Sequence, residues 1–212
     1  MMTFKKNFCP SPWFHVKISN TGQFEYCRWK KSEPSKKITF YNSNYNTQLK
    51  EYFQFDLAQL RQEFLEGKRP TNCEPCYTME QYGKISGRQR QLLKLGIDED
   101  HFEKTLLSSY YKKDFDYSNE HKGMTERHPV DWQIDLGNFC NSNCVFCGPG
   151  SSSRLAQEFK TIGLIEKLPP PNWSENTELL NAFLEYLTSI EDIKYIHFIG
   201  GETLITPAFS VI

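Results

Sequence analysis

The stretch Cys140-Asn141-Ser142-Asn143-Cys144-Val145-Phe146-Cys147 decides the reading of this chain. It sets three cysteines on one short loop, directly after a strand-like segment. Cysteine thiolates hold iron–sulfur clusters, and a cubane takes four of them to close. A loop this tight can wrap three thiolates around one corner of a cubane and leave the fourth iron without a protein ligand. A catalytic zinc keeps an open position in the same way. An open iron is where a substrate or cofactor binds and exchanges an electron. Two other readings stand beside this one: a zinc site completed by a histidine such as His128, and simple reactive thiols.

The flanks give the loop its setting. Val130, Trp132, Ile134 and Leu136 alternate with Asp131, Gln133 and Asp135, the period of a strand. The apolar set is expected to face helices, which turns Gln133 and Asp135 the other way. After the loop, Ser151-Ser152-Ser153 supply helix-start residues, and Leu155, Phe159 and Ile162 form a helical stripe. Pro169-Pro170-Pro171 breaks the chain. Ser174 is then expected to open a second helix, with Leu180, Phe183 and Leu187 on one side. Tyr195-Ile196-His197-Phe198-Ile199 reads as a buried parallel strand and runs straight into Gly200-Gly201-Glu202. Strand, loop, helices and parallel strand make a βαβ unit.

A CxxxCxxC loop with an aromatic at Phe146, followed downstream by Gly200-Gly201-Glu202, resembles the radical S-adenosylmethionine (SAM) superfamily. The resemblance implies that Cys140, Cys144 and Cys147 ligate a [4Fe-4S] cluster with an open iron. It places Phe146 near the adenine of SAM, and Gly200, Gly201 and Glu202 at the methionine part, with the Glu202 carboxylate accepting from the ammonium. SAM would chelate the open iron. One electron would then break the sulfonium C–S bond, giving methionine and a 5′-deoxyadenosyl radical that takes a hydrogen from substrate. An electron donor such as flavodoxin or ferredoxin is implied, and analogy alone suggests a peptide or protein substrate.

Four of the seven cysteines remain, Cys9, Cys27, Cys73 and Cys76, the number that closes a site. Phe14, Val16 and Ile18, the turn residues Asn20-Thr21-Gly22, then Phe24 and Tyr26 read as a β-hairpin. That hairpin brings Cys27 back toward Cys9. Leu57, Leu60, Phe64 and Leu65 predict a helix, capped by Asp56 with Gln59 and closed at Gly67. Pro70-Thr71-Asn72-Cys73-Glu74-Pro75-Cys76 then presents a CxxC pair. The order Cys9, Gly22, Cys27, CxxC resembles the twitch form of SPASM/twitch domains, which carry auxiliary iron–sulfur clusters. Here it precedes the barrel, whereas such domains more often follow it. The resemblance implies an auxiliary [4Fe-4S] cluster on these four thiolates; a structural zinc would use the same four.

Between the cysteine regions, 79–95 reads as one helix ending before Gly96, and Phe102, Leu106 and Tyr110 share a helical face. Lys84, Arg88, Arg90 and Lys94 form a basic stretch, read as a solvated face or a contact to an acidic peptide or phosphate. The polar run 114–129 reads as an inter-domain linker. A formal charge of -1 argues against a general nucleic-acid-binding surface. No stretch approaches the roughly eighteen consecutive apolar residues of a membrane-spanning helix. Seven is an odd number, so the cysteines cannot form a closed disulfide set, and they suit a reducing cytoplasm.

The expected fold is α/β: a small α+β twitch-like domain over 1–113, a linker over 114–129, and over 130–212 the N-terminal portion of a radical SAM partial (β/α)6 TIM-like barrel. The family barrel has more βα units than fit after Glu202. The sequence therefore reads as part of a longer protein or as one completed by a second polypeptide. The alternative from another class is a non-catalytic binding module stabilised by zinc or an iron–sulfur cluster.

Overall fold

The computed structural model describes residues 7–27, 45–98, 101, 104–105 and 110–212 and is mixed α/β. The helical face expected through Phe102 and Leu106 lies outside the described residues. The chain divides into two compact units. Of the described residues, the first takes those up to Val16, Tyr26 and Cys27, and those from Thr47 to Val130. The second takes Lys17–Glu25, Tyr45, Asn46 and Asp131–Ile212.

The first unit is built on aromatic side chains. Pro12 starts the helical turn Ser11–Phe14, where its missing N–H leaves no bond unmade, and Trp13 and Phe14 point into the core. Phe8, Trp13 and Phe115 meet with ring centroids 5.2 to 5.3 Å apart, and Phe14 meets Phe115 edge-on at 5.4 Å. Trp13 Nε1 donates to Ser118 Oγ at 2.8 Å. The buried Arg61 has no carboxylate in its hydrogen-bond set. It donates to the carbonyls of Pro12 at 2.8 Å and of Phe53, Gln54 and Gly123. Those carbonyls satisfy a group whose burial lowers its pKa to about 9.

The Ala58–Leu65 helix buries Phe64 as expected and ends at Gly67, which has φ 72. The Gly67 N–H reaches Phe64 O and the Lys68 N–H reaches Glu63 O, each at 2.9 Å. Its start differs from expectation. The backbone is already helical through Tyr45–Glu51 and, in the wider π form, Tyr52–Asp56. Asp56 therefore has no orphan amides to cap, and Leu57 precedes the helix without a side-chain bond.

The single helix expected over 79–95 is two, Glu74–Gln81 and Gly87–Lys94. Ser86 starts the second with a capping box: its Oγ accepts the Gln89 N–H at 3.2 Å, and Gln89 Oε1 accepts the Ser86 N–H at 3.1 Å. Arg88 leaves the basic stretch, because it is buried and paired with Glu80 at 2.7 Å. The run expected as a linker is in part the helix Lys112–Glu120, with Phe115 in the core. One inward aromatic on a polar helix gives no periodic signal, yet it packs.

The described residues form a sheet in the order β2-β1-β3-β4, all of it in the second unit except His15 and Val16 of β1. Here β1 is His15–Ile18, β2 Phe24–Glu25, β3 Asp131–Asp135 and β4 Tyr195–Ile199. β1 and β2 are the expected antiparallel hairpin, turned at Gly22 with φ 77 and tied by Lys17 to Glu25 at 2.9 Å. β3 and β4 run parallel, with Asp131 opposite Tyr195 and Asp135 opposite Ile199. Trp132 is fully buried and packs on Phe183 and Tyr186 of the Thr177–Thr188 helix, so the apolar face of β3 meets a helix as expected. Asp131 and Gln133 are buried as well.

β4 is not the buried strand that its apolar run suggests. Tyr195, Ile196 and His197 are exposed because β4 is the last strand of the sheet. Ile162, assigned to the helical stripe, is exposed at the end of the Ser153–Thr161 helix. Nor does Ser174 open a helix. It lies in the turn Trp173–Glu175, and Asn176 caps Thr177–Thr188 by accepting the Leu179 N–H at 3.1 Å. Among the described residues no helix is long and apolar enough to cross a membrane.

Candidate metal centres

The cysteine loop starts where β3 ends, and the glycine pair starts where β4 ends. Hydrogen bonding continues beyond both strands. Leu136 N donates to Ile199 O at 3.0 Å, Gly201 N to Gly137 O at 2.8 Å, and Glu202 N to Phe139 O at 2.8 Å. The parallel register of β3 and β4 thus delivers Gly200-Gly201-Glu202 to the threshold of the loop.

Glycine is required at both positions. Gly200 has φ 151, and a Cβ there would stand 2.6 Å from Gly137 O. On Gly201 a Cβ would meet Phe139 O at 2.7 Å, and Asn138 O and Cys140 Cβ at 2.8 Å. The close approach that these glycines permit is to residues 137–140 of the chain itself, a neighbour that the sequence does not disclose.

The loop is pinned behind and open in front. Ser152 Oγ donates to Ser142 O at 3.0 Å. Cys140 N donates to Ser153 Oγ at 3.2 Å, and Ser153 N to Asn138 O at 2.7 Å. Arg154 reaches Asn141 O at 3.0 Å. Ser152 also caps the Ser153–Thr161 helix, as the serine run predicts. In front, Val145 and Phe146 are 100% and 92% exposed, and the three cysteines are half-buried. Burial raises the Cys147 thiol above its usual range, and Cys144 and Cys140 raise it further. The Glu202 side chain is exposed.

Asp135, at the end of β3, is half-buried. Desolvation pushes its pKa up to about 6, against the opposing pull of the Gly137 N–H, which donates to Oδ1 at 3.0 Å, and of Lys17 and Asn20.

The other four cysteines come together in the first unit. Cys9 lies before the turn Ser11–Phe14, and Cys27 follows the hairpin. Cys73 ends the turn Thr71–Cys73, and Cys76 is in the helix Glu74–Gln81. Burial raises the Cys73 thiol, and Cys9, Cys27 and Cys76 add to the rise. Burial likewise pushes Cys9 up to about 11, against the hydrogen bonds of Ser11. Arg88 fastens this region by donating to Phe8 O at 3.1 Å, and Tyr77 by donating to Asn7 O at 2.7 Å.

Among the described residues no group of three or more His, Cys, Asp or Glu side chains stands in an arrangement that could hold a metal ion, and this includes both cysteine sets. The donor chemistry still fits the groups in question. Three soft thiols on one exposed loop match in number a cluster with an open corner, and four thiols in one unit match a closed cluster or zinc.

No family model matches the chain, and no curated protein or solved structure matches it.

Proposed function

We propose that this chain is an iron–sulfur protein of the radical SAM type, in which Cys140, Cys144 and Cys147 hold a [4Fe-4S] cluster beside a SAM site at Gly200, Gly201 and Glu202. The observation that carries this reading is the seating of Gly201 against Cys140, which joins two motifs distant in sequence at one place. A zinc knuckle gives no reason for a glycine pair and an exposed carboxylate at its edge.

When bound, the cluster supplies one electron to break the sulfonium C–S bond of SAM. The chain's residues bind and orient. Glu202 accepts from the ammonium of the methionine part, and the exposed Phe146 ring is free to cover the adenine. The pair β3–β4 is then the beginning of a partial (β/α)6 barrel. The four thiols of the first unit hold an auxiliary [4Fe-4S] cluster, with zinc as the rival occupant because four thiolates close a tetrahedral site equally well. Such chemistry belongs in a reducing cytoplasm, with an acceptor-matched electron donor such as flavodoxin or ferredoxin and a peptide or protein as substrate class.

Anaerobic reconstitution followed by iron, sulfide and zinc analysis tests the proposal. About eight irons per chain with matching sulfide support two cubanes. About four irons with one zinc support a single cluster on the loop and zinc on the four-thiol group. Zinc without sulfide replaces the proposal with a metal-stabilised binding module.

A further inference from the structure

We propose that Asn172 is the positioning residue of the cysteine loop, fixing the backbone ahead of Cys140 at the separation from Gly201 that the metal site needs. The inference rests on the metal-binding reading of the loop.

Asn172 is buried, and it precedes the turn Trp173–Glu175. Its Oδ1 accepts the Asn138 N–H at 3.0 Å, and its Nδ2 donates to Asn138 Oδ1 at 3.1 Å and to Glu175 Oε1 at 2.6 Å. A Cβ on Gly137 would lie 2.5 Å from Asn172 Cγ, so the amide rests flat on the backbone of that residue. Gly137 is also where the Gly201 N–H docks. The next two residues extend the grip: Trp173 Nε1 donates to Asp135 O at 2.7 Å, and Ser174 Oγ donates to Leu136 O.

A capping box explains only part of this. It accounts for the bonds between Asn172 and Glu175, which prepare the turn. It gives no reason for a reciprocal pair with Asn138, 34 residues earlier. Three consecutive side chains holding Asp135, Leu136 and Asn138 form the outer layer of a ligand loop. They hold the loop through the residues ahead of Cys140 and touch none of its cysteines.

Two measurements test the clamp. In the metal-free wild-type chain, amide exchange should find the Asn138 N–H protected like those of Gly201 and Glu202. Exchange as fast as that of the exposed loop residue Asn143 would overturn the proposal. In the reconstituted protein, Asn172→Ala should release the loop's iron to a chelator faster than the wild type does. The iron or zinc of the four-thiol group should leave at the wild-type rate. Loop iron released at the wild-type rate would overturn the proposal. Should Asn172→Ala fail to fold, the wild-type exchange result stands as the test. A wild-type loop that takes up no iron sinks the functional reading instead, and amide exchange then decides the clamp alone.

Discussion

Gly201 sits so close to Cys140 that a Cβ on the glycine would lie 2.8 Å from the cysteine Cβ. Two backbone carbonyls, of Phe139 and Asn138, stand at 2.7 and 2.8 Å from the same point. A side chain cannot enter there unless backbone moves.

Gly201→Ala should therefore destabilise the second unit by about 1–3 kcal/mol, the cost of overpacking a fixed site. It should also displace the loop and weaken SAM binding. Thermal unfolding and SAM titration of the reconstituted variant check this. Wild-type stability together with wild-type SAM affinity would show that the contact is loose.

Replacing Cys140, Cys144 and Cys147 together by Ala should remove the loop cluster and all SAM cleavage while the four-thiol group stays loaded. The two cysteine sets belong to separate compact units, which motivates the expectation. Metal analysis reads the result. Full iron content in the triple variant would mean that other residues are the ligands.

Cys73→Ala should empty the four-thiol group and loosen the first unit, because Cys73 is the thiol that couples to the other three. Limited proteolysis should then cut that unit faster. Phe115→Ala, which leaves the thiols intact, should cost about 3–5 kcal/mol through its cavity and yet retain metal. A Cys73 variant as resistant to protease as the wild type would argue against a metal site there.

Asp135 gives a pH dependence of known sign. Its folded-state pKa, about 6, lies above its unfolded value, so the folded chain binds the proton more tightly. Its contribution to stability is full below about pH 4 and declines as pH rises through about 6. Asp135→Asn keeps an acceptor for the Gly137 N–H and should remove this decline, which makes the variant more stable than wild type at pH 7 by up to about 3 kcal/mol. Denaturant unfolding at pH 4 and pH 7 gives the comparison. An equal wild-type-to-variant difference at both values would contradict the assignment.

Local rules read from the sequence succeed where one short segment settles its own structure. The hairpin at Gly22, the Gly67 helix stop and the Ser152 cap are of this kind. They fail where a distant partner decides. Phe115 turns a polar run into a packed helix, Glu80 draws Arg88 out of the basic face, and the edge position of β4 exposes residues that read as core. The same holds at the candidate site. The cysteine loop and the Gly-Gly-Glu motif are legible as patterns, whereas the Asn138–Asn172 pair is not. Its one visible trace is the spacing of Asn172 and Glu175, a capping signature that names a turn and not the loop it holds.

The most direct test of the central claim is electron paramagnetic resonance of the reduced, reconstituted chain with and without SAM. The account predicts a cubane signal that depends on Cys140, Cys144 and Cys147 and changes when SAM is added, since the open iron is where SAM binds. A loop signal that SAM leaves unchanged, or no signal from those three cysteines, would contradict it.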